Sequence, residues 1–320
     1  MSGRRPRRGL LGPAVCLALL LAALAVVAYG LSGPDEPTPA PAPGVPRILW
    51  SADTETGDLS QWTADEGGGV YNTGSGVVEV DDEVAHGGGH SLRFSITGAD
   101  GTTGNQATRI FRWATADGSP LPDEAYYSAW YRFPQVWRPR EFWNIFQWKT
   151  TISPDRSDPT FILDVFNGPD GAMRLAAYDW IAGVTRGESP DPLPVGRWVH
   201  IEARLRWSEA EDGALTVWQD GRQVIDVAGV RTAHASTEPF ARGWSLDNYT
   251  NGVEPPVAAF NDDDAVISLD RVGPTPEPEP VPTEATPTVT APTEPVPTET
   301  TPTVTAPTEP VPTGTAPVSP

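Results

Sequence analysis

Cysteine is all but missing from this 320-residue chain: Cys16 is the only one, and it lies in an apolar run near the N-terminus. Disulfides, thiolate catalysis and cysteine metal centres are thereby excluded from everything that follows that run. Lysine is as scarce, because the 22 basic residues include only Lys149. Basic charge is short in general; 42 acidic residues leave a net charge of −20. That balance excludes nucleic acid as a natural partner and disfavours an anionic membrane surface. A helical stripe is missing too, since no window long enough for an ordinary helix repeats its apolar residues at the required spacing. Helical fold classes drop out, and stability must come from a hydrophobic core built by strands.

One apolar run is long. Arg4, Arg5, Arg7 and Arg8 precede a stretch from Leu10 to Leu31 broken only by Gly12, Pro13 and Gly30. A cationic flank before such a run predicts export, with 1–31 acting as a signal peptide or an uncleaved membrane anchor. An anchored, cell-surface protein is the favoured expectation; Ala28-Tyr29-Gly30 also allows cleavage and secretion. Residues 32–46 are a Pro-rich linker. From 274 to 320 the chain is Pro, Thr, Glu, Val and Ala, with a unit starting at Pro282 that recurs from Pro297 with one change. Such a tail cannot bury a core and is expected to be disordered.

Residues 47–273 are left as one domain, expected as a monomer whose only membrane contact is the N-terminal segment. All 12 tryptophans fall in it. Turn-rich punctuation separates short β-rich runs at 47–53, 76–82, 91–97, 107–113, 125–133, 142–150, 161–167, 172–180, 197–207, 215–219, 223–227 and 265–272. Val199, Ile201, Ala203, Leu205 and Trp207 alternate against His200, Glu202, Arg204 and Arg206, the pattern of a half-buried strand. Asp220-Gly221 marks a tight hairpin. This many short strands predicts an all-β jelly-roll sandwich.

The run Phe142-Trp143-Asn144-Ile145-Phe146-Gln147-Trp148-Lys149 holds the lone lysine. Strict alternation puts Phe142, Asn144, Phe146 and Trp148 on a core face. Trp143, Ile145, Gln147 and Lys149 then share the other, offering an indole, an amide and a cation to a polyhydroxylated or carboxylated ligand.

Several segments resemble the concanavalin A-like, heparin-lyase-like polysaccharide lyases. They are Trp50 to Trp62, Ala125-Tyr-Tyr-Ser-Ala-Trp-Tyr-Arg-Phe-Pro134, Trp143 to Lys149, Gly196-Arg-Trp-Val-His-Ile201 and Val217-Trp-Gln-Asp-Gly221, in the family's order across nearly the whole domain. The resemblance implies a polysaccharide partner and β-elimination of uronate-containing chains. The family's Gln-x-His strand is matched by Gln147-Trp148-Lys149, with lysine in place of histidine. Its late tyrosine-bearing strand is matched by Trp244 to Thr250, which makes Tyr249 an acid or base although the family's lysine and glycine are absent there. Arg109 and Arg112 match its substrate-gripping strand, and His200 stands ready to assist. Trp130, Trp143 and Asn144 are expected to contact sugar. With the histidine replaced, a non-catalytic carbohydrate-binding module is the alternative.

Two other constellations compete. Glu79, Asp81 and Glu83 alternate as in jelly-roll β-glucanases, where a carboxylate trio hydrolyses glycosides; a solvated edge strand is the plainer reading. Asp53 and Glu55 near the first strand, with Asp263 and Asp264 near the last, could gather round a structural Ca²⁺ if those strands pair. No other cofactor is expected. His86 and His90 are separated by three glycines, which reads as a turn.

Overall fold

The computed structural model describes residues 45–235 and 241–274, all within the first of two units into which the chain divides after Thr275. The expected leader and nearly all of the Pro-rich linker and tail lie outside the described residues. Among those described, no helix is long and apolar enough to cross a membrane.

The elements follow the alternating sequence. They are β1 (Ile48–Ala52), α1 (Ser60–Thr63), β2 (Gly68–Thr73), β3 (Val77–Asp81), β4 (Ser91–Thr97), β5 (Gln106–Arg112), β6 (Glu124–Arg132), β7 (Arg138–Pro139), β8 (Trp143–Ser153) and β9 (Arg156–Asn167). Then come β10 (Met173–Asp179), β11 (Val184–Glu188), β12 (Trp198–Arg206), β13 (Gly213–Gln219), β14 (Arg222–Val230), β15 (Arg242–Thr250), β16 (Val253–Glu254) and β17 (Val257–Ser268). One antiparallel sheet runs β14-β13-β12-β6-β17-β4-β3, with β1 also paired to β17; the other runs β11-β10-β9-β8-β15-β5-β2. Two such sheets packed face to face form the expected jelly-roll sandwich. Asp220 and Gly221 turn the β13–β14 hairpin with φ of 48° and 79°, the doubly positive geometry that Asp-Gly accommodates.

The core lies between the sheets. Val199, Ile201, Ala203 and Leu205 are fully buried along β12, as their alternation predicts. Most indoles are also used here: Trp50, Trp62, Trp137, Trp143, Trp148, Trp207 and Trp244 are buried. At roughly 150–250 Å² each and ~25 cal/mol per Å², a buried indole contributes about 4–6 kcal/mol as an upper bound. Tryptophan density is therefore mainly a core property in this chain rather than a sign of a sugar cleft.

The last strand departs from expectation. The sequence pattern starts it at residue 265, after the acidic cluster Asn261-Asp262-Asp263-Asp264, yet β17 runs through all four. Each polar group has a specific place. Asn261 donates to Asp81 and Ser91, and Asp263 accepts from the backbone N–H of His86 and Gly87. Asp264 takes the irregular position of a bulge, with φ of 48°. Asp262 turns inward with Phe260 and is fully buried. Burial, with Asp263 and Asp247 nearby, pushes its carboxyl well above the ordinary range. β2 and β11, which also escaped the sequence reading, are short, the first half-buried and the second largely exposed, with glycine in both.

Candidate functional site

β8 is the central strand of the seven-stranded sheet, and its irregularity sets the site. Its register against β9 slips between Asn144 and Phe146. Trp143 and Ile145 are buried before the slip, Phe146 and Trp148 after it. The bulge thereby changes which residues share a face: Asn144, Gln147 and Lys149 point together out of the sandwich. This corrects the alternation drawn from sequence. Trp143 is a core residue, packed edge-on against Phe133 and Trp137, its Nε1 donating to Asn248 at 2.9 Å. Phe142, expected in the core, lies beside Tyr249 instead.

The pairings place neighbours in rows across this outer face. Tyr249, Asn144, Asp164 and Ala176 form one row. Phe111, Ser245, Gln147, Ile162 and Tyr178 form the next. Tyr71, Arg109 and Asp247 lie alongside. Gly243 faces Lys149, and a Cβ there would stand 2.8 Å from the Trp113 ring, so glycine keeps that floor open.

At the middle lies Gln147, 1% exposed, with neither amide atom meeting a protein partner. A buried amide left unpaired costs about 1–3 kcal/mol per group, so such a side chain is normally satisfied by something else. Beside it, Arg109 donates from Nε to Asp247 at 3.1 Å while its guanidinium stacks 4.5 Å from the Tyr249 ring centroid. The second oxygen of Asp247 has no partner. Asn105 donates to the Tyr249 hydroxyl oxygen at 2.7 Å, which leaves the phenolic proton free to point elsewhere. Burial, with Arg109 beside it, pushes the Lys149 ammonium below its ordinary range. Burial also raises the Asp164 carboxyl, to about 6, against a hydrogen bond from Asn144 that favours its ionised form.

Two cavities open on this face. One of about 350 Å³ includes Arg109, Lys149, Tyr71 and Trp113; the other, of about 480 Å³, includes Asn144, Asp164, Tyr249 and Trp180. Arg109 and Lys149 thus share one cavity and Asn144 and Tyr249 the other, with Gln147 on β8 between them.

Four other expectations are not met. Arg112 faces the interior, fully buried, bonded to Asp65 at 2.7 and 3.1 Å and set against the Trp50 ring; it is a structural cation, not a substrate ligand. His200 and Trp130 lie on the outer face of the other sheet, with their rings 5.1 Å apart and His86 stacked on Trp130 at 3.8 Å. Burial, with His86 and Arg271 nearby, lowers the His200 imidazole to about 4. Glu79 and Asp81 also belong to that sheet, and β3 ends at Asp81 before Glu83, so the carboxylate trio shares no strand face.

β1 and β17 do pair, but the proposed calcium ligands are engaged otherwise. Asp53 accepts from Gln61 and Glu55, Glu55 from the N–H groups of Gly89 and His90, and Asp263 from those of His86 and Gly87. Asp264 meets His86 Nδ1 at 2.7 Å. Among the described residues no three metal-ligating side chains converge, and the set does not fit a calcium shell.

Asp164, Asp247 and Asn105 are site residues that the sequence reading missed. Asp247 was legible, since Ser245, Asp247 and Tyr249 alternate against Trp244, Leu246 and Asn248. Asp164 was not, because both faces of Phe161-Ile-Leu-Asp-Val-Phe166 are apolar.

A sequence profile described as polysaccharide lyase matches residues 54–244. Solved structures with similar folds include an endo-β-1,4-glucuronan lyase from the fungus Trichoderma reesei, at 17% identity and a TM-score of 0.54, covering 70% of this chain and 96% of that one. The cellulose-induced protein Cip1 is similar at 18% identity and a TM-score of 0.50, covering 70% and 99%. The alginate lyase vAL-1 from a Chlorella virus is similar at 10% identity and a TM-score of 0.50, covering 70% and 100%. At these identities the likeness is one of fold. No curated protein matches the sequence.

Proposed function

Since the chain belongs to the polysaccharide lyase family, we propose that it binds a uronate-containing polysaccharide over Gln147 and cleaves it by β-elimination. The observation that carries this reading is the buried, unpartnered Gln147 amide, paired on its strand row with Ser245 and Ile162 between a cavity lined by Arg109 and Lys149 and one lined by Asn144 and Tyr249.

β-Elimination removes the proton on the ring carbon next to the uronate carboxyl and expels the oxygen at the neighbouring carbon, leaving a double bond conjugated to the carboxyl. The proton is acidic enough only if the carboxylate charge is offset, because negative charge spreads onto it as the proton leaves. Gln147 supplies an amide donor for that carboxylate, and Arg109 supplies positive charge. Lys149 serves as the base, its lowered proton affinity leaving more free amine at neutral pH than an exposed lysine would. Tyr249 protonates the leaving oxygen, with Asn105 and Arg109 stabilising the phenolate that results. His200, on the other sheet, has no part in these steps.

The second reading is a binding module that keeps the cleft without the chemistry. It is supported by the lysine at position 149, where the lyases that the sequence resembles carry histidine. Incubating the protein with uronate polymers and following the near-ultraviolet absorbance of conjugated products separates the two. Absorbance that Tyr249→Phe abolishes supports elimination; binding with no absorbance supports the module. The Arg-flanked apolar run and the Pro-rich linker support placing this domain at the cell surface, anchored or released by cleavage. Protease shaving of intact cells tests that placement.

A further inference from the structure

The cavities beside Gln147 differ in charge. The Lys149 side is lined by Arg109 and Lys149 and by no carboxylate, although Asp158 and Asp247 lie close enough to attract Lys149. The Tyr249 side is lined by Glu141, Asp164 and Glu188 and by no lysine, arginine or histidine. Arg109 reaches that side only through the Tyr249 ring, and its Nε is already engaged by Asp247. A carboxylated sugar seated there would bring a fourth negative group to three carboxylates with no cation lining the cavity. The same cavity holds an apolar platform. Trp180 is 49% exposed, 6.3 Å from Tyr178 and roughly perpendicular to it, with Ile162 and Ala176 on the adjoining floor. Half-exposed indoles are costly to leave in water and suit the C–H face of a pyranose.

The geometry points to a mixed-sugar substrate: the uronate sits over Gln147 toward Arg109 and Lys149, and the adjoining sugar, stacked on Trp180, carries no carboxylate. This rests on the elimination reading for the site but narrows it, because a polymer made only of uronates must place a carboxylate on the acidic side. Burial already pushes the Asp164 carboxyl up to about 6, and a neighbouring uronate would oppose its ionisation further.

The test compares polyglucuronate and alginate, built of uronates alone, with hyaluronan and heparosan, in which glucuronate alternates with N-acetylglucosamine. Affinity electrophoresis reads binding, and near-ultraviolet absorbance reads elimination. The expected result is tighter binding of an alternating polymer, by tenfold or more over the all-uronate ones, shrinking as salt is raised. Asp164→Asn combined with Glu188→Gln should tighten polyglucuronate binding at least fivefold relative to the alternating polymers. Trp180→Ala should weaken only the alternating polymers. Polyglucuronate or alginate bound as tightly as the alternating chains overturns the inference. So does a failure to bind either alternating chain, or a double variant that leaves the preference unchanged. The preference without any absorbance retires elimination while supporting the mixed-sugar assignment, so the two claims fail separately.

Discussion

Replacing Gln147 by leucine separates a functional amide from a structural one. In the free protein both amide atoms are buried without a protein partner, so their removal relieves a penalty of about 1–3 kcal/mol per group. Leucine nearly matches the volume and adds apolar contact with Ile162 across β9. Some strain is expected from the branched side chain, about 1 kcal/mol by analogy with other shape changes in packed cores. The net expectation for Gln147→Leu is stabilisation by about 1–5 kcal/mol. For a domain of this size that is a rise in Tm of about 2–20 °C. Activity should move the other way. An amide that meets developing charge on a bound carboxylate is worth about 3–4 kcal/mol, a loss of about 10²–10³ in kcat. Thermal unfolding by circular dichroism and initial rates of absorbance increase measure both. A destabilised variant that keeps full activity and full polymer affinity would refute the reasoning, because the amide would then be serving the fold alone.

Other consequences can be checked with single variants. Asp65→Ala removes the carboxylate paired with the buried Arg112 guanidinium but leaves its bonds to the Ala114 and Thr115 carbonyls, so with Asp65 half exposed it should cost about 1.5–3 kcal/mol in urea unfolding, with kcat/KM unchanged. His200 titrates near 4 in the folded protein against 6.5 when unfolded, so its contribution is complete above about pH 6.5 and is lost as pH falls toward 4. The span amounts to about 3 kcal/mol, and His200→Gln should remove that part of the acid-side fall in Tm. Asp164, raised to about 6 from 3.8, acts in the opposite sense: its destabilising effect is absent below about pH 4 and complete above about pH 6. Asp164→Asn should therefore raise Tm at pH 7 and leave it unchanged at pH 3.5.

Much of this arrangement was legible before the structure. Period-two patterning located most strands, and the Asp-Gly pair located its hairpin, because both depend on local backbone preference. Gln147 and Lys149 were recognised because polar residues interrupt a strand that is otherwise apolar, and Arg109 and Tyr249 through the resemblance to the lyases. What alternation could not show was the bulge in β8, which has no glycine or proline to mark it. That one irregularity moved Asn144 to the cleft with Gln147 and sealed Trp143 in the core. Sheet assignment was equally hidden. His200 lies on the polar side of its alternating strand and Trp130 in a segment that resembles the lyases, yet their strands belong to the sheet that lacks the cleft. Arg112 misled for a different reason: a fully buried guanidinium depends on Asp65, 47 positions earlier in the chain. Asp262 shows the same limit, since a carboxyl buried in a core reads in sequence as one more member of an acidic cluster.

The central claim is that Gln147, Lys149 and Tyr249 carry out elimination rather than hydrolysis or mere binding. Mass spectrometry of oligosaccharides released from a uronate-containing polymer tests it most directly. The account predicts products whose new non-reducing ends lack one water relative to hydrolytic fragments, formed by the wild-type protein and not by Tyr249→Phe. Fragments with fully hydrated ends, or unsaturated ends still produced by Tyr249→Phe, would contradict it.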